Sequence, residues 1–154
     1  MGKGASLFLL AVSLFCAGCE GVQPATLGVK NGMLAPCPSS PNCVSSRSSD
    51  EKHAVEPIPF AGPMENAVAQ MKDVIASMRR ATVITKEGTY LHAEFWTFLG
   101  FVDDVELYFD GNRKVIHIRS ASRVGYSDFG VNRRRVEAMR ERFLDRGNAQ
   151  KQGG

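Results

Sequence analysis

The chain has 154 residues, with 19 Lys and Arg against 16 Asp and Glu and a formal net charge of +3. That balance gives no case for a nucleic-acid binder, and the length is that of one domain once a short leader is set aside. The charge is unevenly spread: Asp50 to Asp110 holds 11 acidic and 5 basic side chains, whereas Arg113 to Lys151 holds 4 acidic and 11 basic.

Residues 1–18 have the pattern of an export signal. Lys3 supplies a short positive start, "ASLFLLAVSLF" an apolar run, and "CAGC" the small residues before Cys19. The run is too short to span a bilayer as a stable helix. Cleavage after Gly18 would leave Cys19 to carry lipid, as in bacterial lipoproteins, with Cys16 an unusual residue three places before the cut. The expected address is the bacterial cell envelope, with the membrane engaged through a lipid anchor at Cys19.

Residues 19–55 are expected to form a tether and a cysteine-clipped loop, being rich in Gly, Pro, Ser and Asn without a sustained period. Cys16 leaves with the leader and Cys19 carries lipid, so Cys37 and Cys43 remain. An oxidising compartment and the short, turn-rich "PSSPN" between them predict a disulfide. A zinc site needs more ligands than this stretch offers.

Residues 56–147 are expected to hold a single α+β domain. From Pro63 to Arg80, Met64, Ala67, Val68, Met71, Ile75 and Met78 recur at helical spacing, which predicts one helix with an apolar stripe. "TVITKE" and "TYLHAEFWTFL", separated by Gly88, predict two strands from their β-branched and aromatic content, and Phe95, Trp96 and Phe98 read as strand or core packing. "DDVELYF" and "KVIHIRS", joined by "DGNR", predict two more. If Gly111 and Asn112 form a two-residue turn, Leu107 faces Ile116 and Val105 faces Ile118, while Glu106 meets His117 and Asp104 meets Arg119 on the other face. Val131 to Arg146 predicts a final helix with Asn132, Val136, Met139 and Phe143 along one side, closed by Gly147. Residues 148–154 are expected to be a disordered tail. The architecture expected is helix, four-stranded mostly antiparallel sheet, C-terminal helix, with both helices on the apolar face and a solvated polar face opposite.

"CPSSPNCVSS", "DDVEL" and "IRSASRVGYSDFGVNRRRVEAMR" resemble the domain-of-unknown-function 1499 family over roughly Cys37 to Phe143. The resemblance implies one domain with export or membrane association, and it implies no particular activity.

Two constellations are candidate sites. The loop from Ala121 to Gly130 feeds a helix whose N-terminus exposes N–H donors and the positive end of a dipole, so Ser122, Arg123, Tyr126, Ser127, Asp128, Asn132, Arg133 and Arg135 form a candidate anion or partner site. The opposing reading is a capped turn, in which Ser127 or Asp128 occupies those donors. Successive helical steps of about 100° turn Arg134 away from the core and set Arg133 and Arg135 on its two flanks. The second constellation is the polar sheet face, where His92, Glu94, Asp104 and His117 are a weak metal or acid–base candidate beside simple cross-strand charge pairing. In "GYSDF", Ser127 lies between a strand and a helix like a nucleophile, but Phe129 stands where an elbow needs its second glycine. The reading expected is a lipid-anchored envelope domain, a non-catalytic binding or accessory module for an anionic ligand, lipid headgroup or protein partner, with no cofactor. The alternative is a hydrolase or metal-dependent enzyme.

Overall fold

The computed structural model describes residues 21–152; the segment expected as an export signal, and Cys19, lie outside them. The elements are β1 (Cys43–Ser45), β2 (Ile58–Pro59), α1 (Met64–Ala76), β3 (Ala81–Glu87), β4 (Tyr90–Trp96), β5 (Val102–Asp110), β6 (Val115–Ser122) and α2 (Val131–Gln152). The sheet has six strands in the order β1-β6-β5-β4-β3, with β2 also on β6, rather than the four expected. All its strand pairs are antiparallel. The two extra strands come from a stretch without strand periodicity. Each is two or three residues long and exists by completing the free edge of β6, a gain that composition does not register. Part of the segment expected as tether and clipped loop thus belongs to the sheet, and the Cys37–Cys43 disulfide ties that loop to the first residue of β1.

Period-two alternation gives the strands one apolar face. Leu91, Ala93 and Phe95 of β4, Val105, Leu107 and Phe109 of β5, and Ile116 and Ile118 of β6 are buried there with Ala67, Val68, Met71, Val74 and Ile75 of α1 and Val136, Met139 and Phe143 of α2. Each fully buried Leu, Ile or Phe contributes about 1.5–3 kcal/mol by leaving water. Both helices therefore cover one face, as their stripes require.

Boundaries and register depart from expectation for local reasons. α1 stops at Ala76, where Ser77 turns its hydroxyl back to the Val74 carbonyl, and Arg80 takes a left-handed φ of 57°. β4 ends at Trp96, not Leu99: Gly100 at φ 82° and the Thr97–Phe101 backbone bond turn the chain out of the sheet. The β5–β6 turn spans four residues, with Asp110 Oδ1 accepting the N–H groups of Asn112 and Arg113 and Lys114 at φ 56°. The register is thereby shifted by two: Leu107 faces Ile118, Phe109 faces Ile116, Glu106 faces Arg119 and Tyr108 faces His117. A slip of two keeps every side chain on its own face, so the apolar pattern does not distinguish the two pairings. α2 runs through Gly147 to Gln152, overlapping the expected tail. Gly147 lacks the positive φ of a helix cap and lies within the helix, where a β-carbon would meet only an ordinary contact at 3.6 Å from Gln70 Nε2.

The polar sheet face is not solvated. His92, Asp104, Glu106, His117 and Arg119 are buried. The N-terminal segment lies across them, with the Gly28 N–H donating to Glu106 Oε1 and Ser46 Oγ paired with His117 Nδ1.

Candidate functional site

Antiparallel register brings the β4–β5 loop, the start of β1 and the β6–α2 loop to one end of the sheet, since Trp96 faces Val102, Asp103 faces Ser122 and Ala121 faces Cys43. Three groups of side chains meet at that end.

The first lies under α2. Asn132, at the first turn of the helix and fully buried, accepts from Ser120 Oγ (2.6 Å) and Arg135 Nη1 (2.6 Å), and donates to the Asn42 carbonyl (3.0 Å) and Ser122 Oγ (3.0 Å). Arg135 also reaches Ser120 Oγ and Asp103 Oδ2 (2.5 Å) and lies 4.8 Å over the Phe95 ring. Asp103 is buried, and this guanidinium is its counter-ion. Each side-chain polar atom of Asn132 thus has a partner within the fold.

At the start of α2, Asp128 Oδ1 accepts the Gly130 N–H (3.0 Å) and Oδ2 the Asn132 N–H (2.7 Å), while its carbonyl takes the Val131 N–H. Capping by a carboxylate occupies the donors that an anion needs. Arg133 bonds the carbonyls of Ala54 (2.6 Å) and Lys52 (2.8 Å), and exposed Arg134 bonds only the Phe129 carbonyl. Ser127 Oγ accepts from the Phe129 N–H. No histidine reaches it: His53 is held by Asp50 and the Ser40 carbonyl, His92 by Asp104 and His117 by Ser46.

The second group fills the opposite sheet face. Arg123 donates from Nε and Nη2 to Asp104 (2.8 and 2.7 Å) and also bonds Glu94. His92 Nε2 lies 2.8 Å from Asp104 Oδ1. Glu106 accepts from Arg119 Nη1 (3.0 Å), the Tyr90 hydroxyl (3.0 Å) and the Gly28 N–H (2.8 Å). Burial acts to raise the Asp104 carboxyl, but the hydrogen bonds and charges of Arg123 and His92 outweigh it and hold the group below the ordinary carboxylate range. Burial first, then the Glu106 charge and hydrogen bond, push the Tyr90 hydroxyl up. Burial and then the Arg47 charge lower His117, against a smaller opposing pull from Asp110. Among the described residues no three His, Cys, Asp or Glu side chains converge as a metal site, and both oxygens of Asp104 are taken by protein donors.

The third group is exposed. The β4–β5 loop carries Phe98 (84% exposed) and Leu99 (71%), and the β6–α2 loop carries Tyr126 (76%) and Phe129 (87%). Phe98, Leu99, Phe101, Val124, Phe129 and Val131 line an open, apolar cleft of about 490 Å³ between the two loops. The sequence reads Phe98 as packing and Phe129 only as a residue standing in place of an elbow glycine. The available signal was three large apolar residues crowded around Gly100 in "TFLGF", a composition at odds with an ordinary polar turn.

Of the eight residues singled out around this loop, then, Ser122, Asn132 and Arg135 hold the helix to the sheet, Asp128 caps the helix, Arg133 ties it to the segment at Lys52 and Ala54, and Arg123 belongs to the carboxylate network behind it. Tyr126 alone projects far into solvent, with Ser127 beside it. A family model described as "Protein of unknown function (DUF1499)" matches residues 33–143. The chain belongs to this family. The matched span begins before the clipped loop and ends in α2, so it takes in both loops of the apolar cleft and every side chain of the two polar networks, though not Gly28. No curated protein matches the chain.

Proposed function

We propose that this protein is a lipid-anchored domain of the bacterial cell envelope, acting as a non-catalytic binding or accessory module through the apolar crest formed by the β4–β5 and β6–α2 loops. The supporting observation is the exposure of Phe98, Leu99 and Phe129 around one cleft, with exposed Tyr126 on the same loop as Phe129. Isolated apolar side chains are common on protein surfaces, but several large ones gathered on two adjoining loops mark a contact surface. An anion site at the start of α2 is disfavoured, because Asp128 already occupies its donors.

The fluorescent probe anilinonaphthalene sulfonate tests the crest. The folded protein is expected to enhance its emission, and the Phe98→Ser, Phe129→Ser double variant to lose most of that enhancement at unchanged melting temperature. Equal enhancement by the two proteins contradicts the reading. The anchor is tested by intact mass: a chain beginning at Cys19 with added acyl mass supports it, and an unmodified Cys19 does not.

An enzyme on the sheet face keeps one observation in its favour. His92, oriented by Asp104, borders a cleft of about 480 Å³ with Thr85, Thr89 and Tyr90. Labelling by a serine- or threonine-directed fluorophosphonate that is lost in His92→Asn favours it; absence of labelling counts against it.

A further inference from the structure

We infer that the crest docks on the anionic phospholipid surface of the membrane that holds the chain, so that anchor and crest engage the same bilayer. The inference rests on the lipid-anchor reading of Cys19 and adds to it an orientation and a lipid class.

Position is the first support. Gly21 packs so closely on the start of the β6–α2 loop that a β-carbon there would stand 2.8 Å from Arg123 Cβ and 2.8 Å from Val124 Cγ1. Val124 lines the crest cleft. Cys19 precedes Gly21 by two residues, and an extended chain covers at most about 3.6 Å per residue, so the backbone of a lipid-bearing Cys19 cannot be more than about 7 Å from that of Gly21. A bilayer reached by the acyl chains is therefore already beside the crest.

Charge is the second. Arg79, Arg80 and Arg134 are exposed at the crest's edge. The Arg80 guanidinium lies 5.3 Å from the centre of the Phe98 ring, and Arg79 and Arg134 line a shallow cleft shared with Trp96. The carboxylates at this end of the sheet are occupied: Asp103 by Arg135, Glu94 and Asp104 by Arg123, Asp128 by the helix N-terminus. The exposed rim is cationic around an apolar centre. Such a surface complements anionic headgroups over acyl chains, and acylation is commonly joined by a second, basic or apolar signal in stable membrane attachment. A soluble anion would satisfy the arginines and leave Phe98, Leu99 and Phe129 in water.

Trp96, the only tryptophan of the chain, lies at the end of β4 beside the crest and reports on docking without a label. The test uses the full chain isolated from membranes and reconstituted into vesicles of phosphatidylethanolamine and phosphatidylglycerol, with either plain or brominated acyl chains. The brominated lipid is expected to quench Trp96. Phe98→Ser with Phe129→Ser is expected to relieve the quenching while the protein still floats with the vesicles and melts at the same temperature. Each of Arg79→Gln and Arg134→Gln is expected to lower the ratio of docked to undocked protein about fivefold at low salt, with the difference shrinking as salt screens the surface. Flotation without quenching, whether the crest stays in water or is covered by a second copy, overturns docking and leaves the anchor standing. Quenching of equal depth in vesicles of phosphatidylcholine alone overturns the anionic preference. Failure to float overturns the anchor and docking together.

Discussion

The three consecutive arginines at the start of α2 offer a comparison in which charge, helix and distance along the chain are nearly constant and only the partners differ. Arg135→Gln removes the counter-ion of Asp103, whose side chain is 2% exposed, and takes hydrogen bonds from Ser120 and Asn132. Leaving one member of a buried ion pair uncompensated costs about 3–5 kcal/mol. Arg133→Gln loses two charged hydrogen bonds to carbonyls that water can reach in part, about 1–2 kcal/mol. Arg134→Gln loses one exposed bond to the Phe129 carbonyl, within about 0.5 kcal/mol. For a domain of this size 1 kcal/mol moves the melting temperature by roughly 4 °C. Thermal unfolding followed by circular dichroism should therefore fall by about 12–20 °C for Arg135→Gln, about 4–8 °C for Arg133→Gln and about 2 °C or less for Arg134→Gln. Asp103→Asn added to Arg135→Gln should recover part of the loss, because it removes the stranded charge. Equal shifts for the three single variants, or no recovery in the double variant, would refute the assignment of partners.

Two further outcomes follow from the same networks. Replacing Cys37 and Cys43 together by serine opens a clip with a sequence separation of 6 and should cost about 2 kcal/mol on the loop-entropy account; an unchanged denaturant midpoint would mean that the clip contributes nothing. Asp104, whose folded pKa lies below its ordinary value, contributes stability that is present above that value and lost as pH falls through the folded one. Asp104→Asn should accordingly be less stable than wild type at neutral pH and show a flatter acid limb. His117, also lowered, adds to the acid limb in the same direction, beginning as pH falls through the ordinary imidazole value and ending at its lower folded one. Parallel limbs for wild type and Asp104→Asn would contradict the ion-pair account.

The parts of the fold set by repeating pattern were legible in the chain. The stripe Ala67, Val68, Met71, Ile75 and the stripe Asn132, Val136, Met139, Phe143 both face the core, because 3.6-residue periodicity leaves few other ways to bury them. Strand faces were legible for the same reason. The β5–β6 register was not, since a slip of two residues preserves the alternation that was used to set it. Coverage of the polar face was hidden because the covering segment donates mainly through single groups, such as the Gly28 N–H and the Ser46 hydroxyl, that carry no period. Arg119 illustrates the consequence: it pairs with Glu106, not Asp104, and Asp104 goes to Arg123. In the loop before α2, Ser122 and Asp128 turn inward as scaffold. The large side chains the loop presents outward are aromatic, Tyr126 and Phe129, and the Phe98 that joins them reads in sequence as part of the strand it follows.

The claim that the crest is the contact surface is tested most directly by placing a photoreactive phenylalanine analogue at position 98 of the full chain in intact cells, with Glu141 on the outer side of α2 as the comparison position. The account predicts abundant crosslinks to membrane lipid or to an apolar partner from position 98 and few from position 141. Equal crosslinking from both positions, or none from position 98, would contradict it.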